Sequence, residues 1–306
     1  MNNEKIYIPP IKTQGIKTKL VRTIKDNVCL DDDTVWIEPF MGSGVVGLNI
    51  APRKAVFADI NPHIIDFYNQ LSANKINSNI VAEYLREQGA LLSEKSEKHY
   101  YYIREKFNKD KDPLDFLFLN RSCFNGLMRF NKKNKYNVPY GHKPERFSKA
   151  YITKIVNQVK YFEKKIKEND WVFLCQNFDK TIELADYHSF IYCDPPYIGR
   201  HIDYYDSWDE EHEQKLYECL TNANAKFMLS TWEANMYREN GYIGQIWGAC
   251  YKMTFKHFYF VGASEENRNP MTEALITNYR TTGNTNTVEY PETKYQQLEL
   301  NQYSYA

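Results

Sequence analysis

The chain has 306 residues, enough for one large domain or two ordinary ones. Hydrophobic residues make up 42% and charged residues 25%, which supports a globular core and excludes wholesale disorder. The formal charge is zero, so the field of the whole molecule neither favours nor opposes a nucleic-acid partner, and local patches must decide.

In chain order, TVWIEPF (34–40) reads as a strand and residues 44–51 as a helix entered through glycines. KAVFADI (54–60) is a second strand, followed by a helix in NPHIIDFYNQLSA with Asn61 as N-cap and Pro62 at its first position. Two strands joined by a helix in so short a span predict a right-handed crossover in a parallel sheet. Helical patterns then dominate, at 80–92, 94–108, 112–124 and 148–166, interrupted by a polar segment at 125–147. The strand–helix rhythm returns with WVFLC (171–175), SFIYC (189–193), a helix at 209–222, KFMLS (226–230) and ALITNY (274–279). The expected architecture is one α/β sheet domain, residues 1–72 and 168–280, with a mostly helical insertion at 73–167. Residues 281–306 are polar and rich in Thr, Asn and Gln, and read as a loosely held tail.

EPFMGSGVVG places Gly42, Gly44 and Gly47 in a G-x-G-x-x-G frame between a strand and a helix, which lets a ligand approach the backbone closely. Asp59 ends the next strand, where a carboxylate can accept both hydroxyls of a ribose. A dinucleotide-binding protein uses the same pattern. Glu38, however, precedes the first glycine and would repel a pyrophosphate, whereas it suits a ligand carrying a sulfonium and an ammonium. The pattern therefore favours a nucleoside site with positive charge over a plain strand-to-helix turn.

IYCDPPY (191–197) ends an apolar strand on an acid, two prolines and a ring. Strand tips of open α/β sheets are where ligands sit. Pro195 and Pro196 fix φ and remove two N–H donors, so the corner is acceptor-rich. The Asp194 carboxylate and the Pro195 carbonyl match an amino group with two hydrogens, and Tyr197 offers a flat face. Those features fit the exocyclic amino group of a planar base.

Residues 121–149 hold Arg121, Arg129, Lys132, Lys133, Lys135, Lys143, Arg146 and Lys149 against a single acid, Glu145. That is an electrostatic footprint for phosphates, although a charge run is more often a solvated loop. Interleaved Asn125, Asn131, Asn134 and Asn137 suit the edges of adenine and tip the reading toward DNA. RFNKKNKYNV is expected to form a β-ribbon turning near Lys133-Asn134. YYDSWDEEHE is acid-rich, yet Ser207 with Glu210 forms a capping box and Asp209 to Glu211 suit a helix N-terminus, so no metal site is read there. His201 and His212 read as surface residues. The six Cys lie far apart without a C-x-x-C pair, the opening MNNEKIYIPP has no apolar signal core, and no run spans a bilayer. These features read as reduced thiols in a soluble cytoplasmic protein without membrane contact.

YIPPIKTQGIKTKL (7–20), EPFMGSG (38–44), NRSCFNGLMRFNKKNKYNVPYG (120–141) and DPPY (194–197), in this order, resemble the alpha group of amino-directed DNA methyltransferases, the Dam-like family. The likeness extends over most of residues 5–280, and the opening block resembles the EcoRV-type modification methylases most closely. The resemblance implies a Rossmann-like sheet of seven strands with an inserted target-recognition domain carrying a β-hairpin, and S-adenosylmethionine (SAM) as methyl donor. It implies SAM contacts at Phe40, Gly42 and Gly44 with Glu38-Pro39 alongside, and the ribose on Asp59. Gly15 and Lys17 would hold the SAM carboxylate, a charge-assisted pair, with Tyr7 flanking. Phe178 would pack on the SAM adenine. Asn177 stands where many relatives have Asp, and it brings two donors beside its acceptor.

The same resemblance places the hairpin in the major groove of double-stranded DNA. Lys12, Arg121, Asn125, Arg129, Lys133, Lys135 and Asn137 become contact candidates, and Phe130 and Asn131 candidates for wedging at the gap left by a flipped base. Tyr204 and Tyr205 are candidates to close over that base. The function implied is site-specific adenine-N6 methylation with Asp194, Pro195, Pro196 and Tyr197 as the catalytic corner. A restriction endonuclease acting on the same site, without direct contact, is the implied counterpart, and GATATC the implied site. The acceptor geometry alone also admits an RNA base or cytosine N4, although relatives acting on cytosine often carry Ser in place of the Asp. A DNA-binding protein that keeps the fold without catalysis is a further alternative, as is a nicotinamide-dependent oxidoreductase, which leaves the basic insertion idle.

Overall fold

The computed structural model describes residues 5–198, 208–235, 238–260, 268–281 and 288–289. They fall into two compact units, one up to Thr181 and the other from Ile182 onward.

The first unit begins with α1 (Val21–Asn27) and then alternates β1 (Val35–Glu38), α2 (Val45–Ile50), β2 (Lys54–Asp59) and α3 (Pro62–Ser72). The expected cap is present: Asn61 Oδ1 accepts from His63 N at 3.0 Å, with Pro62 at the first helical position. Four longer helices follow, α4 (Ser78–Lys95), α5 (Glu97–Asp110), α6 (Pro113–Ser122) and α7 (Lys149–Glu168), then β3 (Asp170–Cys175) and α8 (Phe178–Ile182). β2 pairs in parallel with both β1 and β3, placing Glu38 beside Phe57 and Asp59 beside Cys175. The tips of the strands therefore bring the glycine turn, Asp59 and the start of α8 to one edge. Tyr68 of α3 and Phe162 of α7 stack at 4.4 Å, and Tyr68 also stacks on Phe173 of β3 at 5.6 Å. These rings are the core that fastens the helices to the parallel strands, each burying a large apolar area.

The second unit contains β4 (Ser189–Cys193), α9 (Glu210–Asn222), β5 (Lys226–Asn235), α10 (Gly241–Ile246), β6 (Tyr251–Phe260), β7 (Arg268–Thr277) and the two-residue β8 (Val288–Glu289). β4 is buried along its whole length, as expected of a strand covered on both faces. β4 and β5 are parallel, whereas β7 lies antiparallel between β5 and β6. The α/β class with a parallel sheet core is thus as the sequence predicts. The strands at 226–230 and 274–279 are longer than expected, and β6 was not foreseen.

Two local expectations change. The cap of α9 is Asp209, whose side chain accepts from His212 N at 3.1 Å; Ser207 lies outside the described residues, as do His201, Tyr204, Tyr205 and most of the tail. The ribbon at 129–138 is short, an antiparallel bridge of Phe130 with Tyr136 flanked by Asn131 N donating to Lys135 O at 2.9 Å and Asn137 N to Arg129 O at 3.2 Å. Asn108 of α5 accepts from Tyr136 N at 2.7 Å and donates to Tyr136 O at 3.1 Å, and Asn131 Oδ1 accepts from the backbone of Lys133 and Lys135. The chain reversal itself is where it was expected, closed by Asn134 N on Asn131 O at 2.8 Å with Asn134 in the left-handed region. No helix of the described residues is long and apolar enough to cross a membrane.

Candidate active site

The glycine turn is built by Asp59 and Glu38 from opposite sides. Asp59 Oδ2 accepts from Gly42 N and Oδ1 from Asn61 N, each at 2.8 Å. A carboxylate has about four lone-pair positions, so these two bonds orient Asp59 without exhausting it. The residue keeps some exposed surface while its carboxyl is enclosed, and burial pushes that carboxyl above the usual range against the two backbone donors. Gly44 caps α2 at φ 75°, a region that costs an L-residue about 1–2 kcal/mol.

Glu38 is 2% exposed, and its Oε2 accepts from Trp36 Nε1 at 2.9 Å and Gly47 N at 3.1 Å. A negative charge at the start of α2 is favourable. Glu38 therefore braces the turn, a task its position in the sequence did not reveal. Pro39 and Phe40 complete the turn, and Phe40 stacks on Phe178 at 5.4 Å, which joins the glycine turn to α8.

Asn177 sits just before α8. Its Oδ1 accepts from Phe178 N at 2.9 Å, and its carbonyl accepts from Thr181 N and Thr181 Oγ1. Phe178 itself is buried. In the amino-terminal block Gly15 has φ 73°, and Lys17, also buried, donates from Nζ to Gly15 O at 2.8 Å. Tyr7 stacks face to face on Tyr161 of α7 and exchanges backbone bonds with the Asn49 side chain of α2. The first unit thus brings Gly42 and Asp59 into direct contact, with Gly44 two residues on in the same turn, and ties the amino-terminal block to α2 and α7.

In the second unit the chain leaves β4 through Asp194-Pro195-Pro196-Tyr197. Asp194 and Tyr197 are half-buried and Pro195 is buried. Three side chains of later strands grip this corner, and none was singled out from the sequence. Ser230 Oγ of β5 donates to Asp194 Oδ1 at 3.1 Å and pairs with Tyr192 Oη at 2.8 Å. Trp232 Nε1 of β5 donates to Ile198 O at 3.0 Å. Tyr197 Oη donates to Glu273 Oε1 of β7 at 3.0 Å.

The basic stretch is less uniform than its composition. Arg121 is only 2% exposed, and its guanidinium donates to the carbonyls of Pro9 and Pro10 and to Gln158 Oε1. It cannot reach a DNA phosphate from there, which corrects the sequence expectation: Arg121 anchors the amino-terminal segment. Beside it, Asn120 Oδ1 accepts from Lys12 N and Asn120 Nδ2 donates to Lys12 O, both at 2.9 Å. Arg146 donates to Tyr151 Oη at 2.9 Å and to Arg121 O. Burial, with Arg121 and Arg146 adding and Tyr151 opposing, lowers Lys12 to about 8.

Phe130 stacks on His63 at 4.9 Å and meets Tyr136 edge-on, while Asn131 is spent on the turn. Phe130 is half-buried there, and Asn131 is exposed while its Oδ1 holds the turn. Phe124 is 36% exposed, next to an exposed Asn125 at φ 50°. Arg129 Nε donates to Asn137 Oδ1 at 3.0 Å, and Lys133 and Lys135 are exposed at the reversal.

Comparison with known proteins agrees with this architecture. The profile of the D12 class N6 adenine-specific DNA methyltransferases matches residues 14–256. The DNA adenine methylase of Haemophilus influenzae is 38% identical over 198 residues, covering 62% of this chain and 63% of that protein. The type II methyltransferase M.MjaIII of Methanocaldococcus jannaschii is 32% identical over 247 residues, covering 72% and 83% respectively. The type II methyltransferase M.FokI of Planomicrobium okeanokoites is 29% identical over 283 residues, covering 88% of this chain and 42% of its own length. The match spans both the glycine turn and the Asp-Pro-Pro-Tyr corner, and by it the chain belongs to the D12 class N6 adenine-specific DNA methyltransferase family.

Proposed function

We propose that the chain methylates N6 of adenine at a specific site in duplex DNA, with SAM as donor. The observation that carries this reading is the corner at 194–197, where a fixed carboxylate, a proline carbonyl and an anchored ring follow a fully buried strand. The residues around the glycine turn fit SAM in kind. Asp59 retains lone pairs for a ribose, Gly42 and Gly44 keep the backbone open, Phe178 and Phe40 supply aromatic surface, and Lys17 with Gly15 suits a carboxylate. When bound, SAM supplies an electrophilic methyl on a sulfonium.

The work of the chain is to bring the amino nitrogen into reach and make it nucleophilic. An adenine must leave the duplex, at a cost of a few kcal/mol. Exposed Lys133 and Lys135, with Arg129 and Asn137 behind them, offset this through phosphate and groove contacts. Phe124 and Asn125, both exposed, join exposed Asn131 and half-buried Phe130 as candidates to fill the vacated stack. In the corner Asp194 and the Pro195 carbonyl accept hydrogen bonds from the amino group, drawing lone-pair density onto nitrogen. Tyr197 stacks on the ring. Positioning then supplies much of the acceleration. No cysteine nucleophile is needed, and all six cysteines are free thiols, which suits the cytoplasm. Residues 73–167 act as the target-recognition part, and a restriction endonuclease of the same specificity is the expected counterpart.

The test is Asp194→Ala. Radiolabelled methyl incorporation into DNA is abolished while SAM binding, read by calorimetry, survives. Incorporation at the wild-type rate overturns the mechanism. Single-molecule sequencing of a plasmid methylated by the purified protein then maps N6-methyladenine, with GATATC the first site to inspect.

A further inference from the structure

Both polar groups of the corner are held by side chains from strands far along the chain. Ser230 is fully buried and Glu273 is 2% exposed. The pairing of β5 with β7 sets Trp232 opposite Glu273 and Ser230 opposite Leu275, so these contacts issue from one rigid patch of antiparallel ladder. Ser230 has a single hydroxyl proton. Asp194 Oδ1 at 3.1 Å is its nearer acceptor and the Cys193 carbonyl at 3.4 Å the farther, while Tyr192 Oη lies 2.8 Å from Ser230 Oγ, so Ser230 ties the carboxylate to the end of β4. The neighbours of Glu273 on β7, Ala274, Leu275 and Ile276, are buried and apolar. Packing alone does not call for an acid at 273. The acid accepts from the Tyr197 phenol at 3.0 Å.

We infer that Glu273 is a positioning residue for methyl transfer, tethering the Tyr197 ring in the rotamer that stacks on the target base, as Ser230 orients the Asp194 carboxylate. The inference rests on the reading of the corner as an acceptor for the adenine amino group. A tyrosine side chain held only at its Cβ end can swing its ring between rotamers about the inner torsion. Tethering the hydroxyl to Glu273 fixes where the far end of the ring lies, and so the place of its face beside the base. An ordered ring spares the complex the entropy of ordering it, and holds the base in line for reaction. Loss of the anchor therefore lowers the rate of the chemical step and leaves SAM affinity alone.

The test uses the full chain and four variants: Glu273→Leu, Glu273→Gln, Tyr197→Phe and the double variant Tyr197→Phe/Glu273→Leu. Glu273→Leu is expected to lower the single-turnover methylation rate by about tenfold, the worth of one hydrogen bond to a charged acceptor, with SAM Kd within about twofold. Glu273→Gln keeps an acceptor oxygen and recovers most of the rate. Tyr197→Phe falls as far as Glu273→Leu, and the double variant is no slower than either single one, because one interaction is lost only once. A wild-type rate in Glu273→Leu overturns the inference. So does a Gln variant as impaired as the Leu variant, or a double variant whose loss is the product of the two. Should Glu273→Leu fail to fold, Tyr197→Phe alone decides, and an unchanged rate there overturns the inference. Asp194→Ala keeps the two readings apart: if it is inactive while these variants are normal, only the positioning role falls.

Discussion

Gly47→Ala probes the brace beneath the glycine turn. A methyl group at Gly47 would overlap Cε1 of Phe57 and stand 2.7 Å from both Phe57 Cζ and Glu38 Oε2. Neither neighbour can withdraw. Phe57 is wedged by Trp171 at 5.2 Å and Phe173 at 5.4 Å, and Glu38 Oε2 is committed to Trp36 and to Gly47 itself. Overpacking costs about 1–3 kcal/mol. Pulling the Gly47 N–H off a charged acceptor adds about 1.5–3 kcal/mol. The better helix propensity of Ala returns about 1 kcal/mol. The net is a loss of about 1.5–5 kcal/mol, which lowers the melting temperature by about 2–8 °C for a chain of this size. The assay is a thermal melt followed by circular dichroism, paired with a SAM titration in which affinity falls because Gly42 and Gly44 move with the turn. Gly244→Ala is the control, since a Cβ there meets nothing within 4 Å; it should be neutral or slightly stabilising. A Gly47→Ala protein that melts within about 1 °C of wild type and binds SAM normally refutes the reasoning.

Arg121→Met leaves the carbonyls of Pro9 and Pro10 and the Gln158 amide without their donor, and lowers stability by about 2–4 kcal/mol in urea unfolding while the salt dependence of DNA binding is unchanged. Lys133→Ala does the reverse: stability stays within about 0.5 kcal/mol, and the slope of log affinity against log salt drops by about one. Lys12 is held near 8, and Tyr151, raised by burial but lowered by Arg121, Lys12 and Arg146, is also brought to about 8. As pH rises through 8 the first loses a positive charge and the second gains a negative one, so DNA affinity measured by fluorescence anisotropy falls, less steeply in Lys12→Met. Stability moves the other way over the same window, because both folded values lie below the unfolded ones and the unfolded chain binds more protons there. Phe124→Ala leaves the melt unchanged and weakens the 2-aminopurine signal of a flipped target base; an unaltered signal removes Phe124 from the wedge.

Local patterns carried much of this structure into the sequence. The Asn61 cap, the parallel strands at 54–59 and 170–175, the glycine turn with Asp59, and the corner after β4 each depend on residues that are neighbours in sequence or meet at strand tips. What stayed hidden acts at long range. Ser230 lies 36 residues beyond Asp194, and Glu273 lies 76 beyond Tyr197. Nothing in a strand of β-branched and apolar residues marks which polar one points at a site. Charge counting failed at Arg121 for a related reason: a basic stretch does not say which cation turns inward, and only the carbonyls of Pro9 and Pro10 settle it. The ribbon is present but short, and what its sequence did not show is that Asn108, on a helix upstream, binds the outer edge of Tyr136. β6 was overlooked because lysines and a histidine interrupt its apolar alternation.

The two-way bonding between Asn120 and the main chain of Lys12 imitates a rung of sheet using a side chain. Arg121 drives a second fastener into Pro9 and Pro10. Together they splint residues 9–12 to the end of α6, so the segment leading to Gly15 and Lys17 and the segment leading to Phe124 move as one lever. A displacement of either arm is thereby passed to the other.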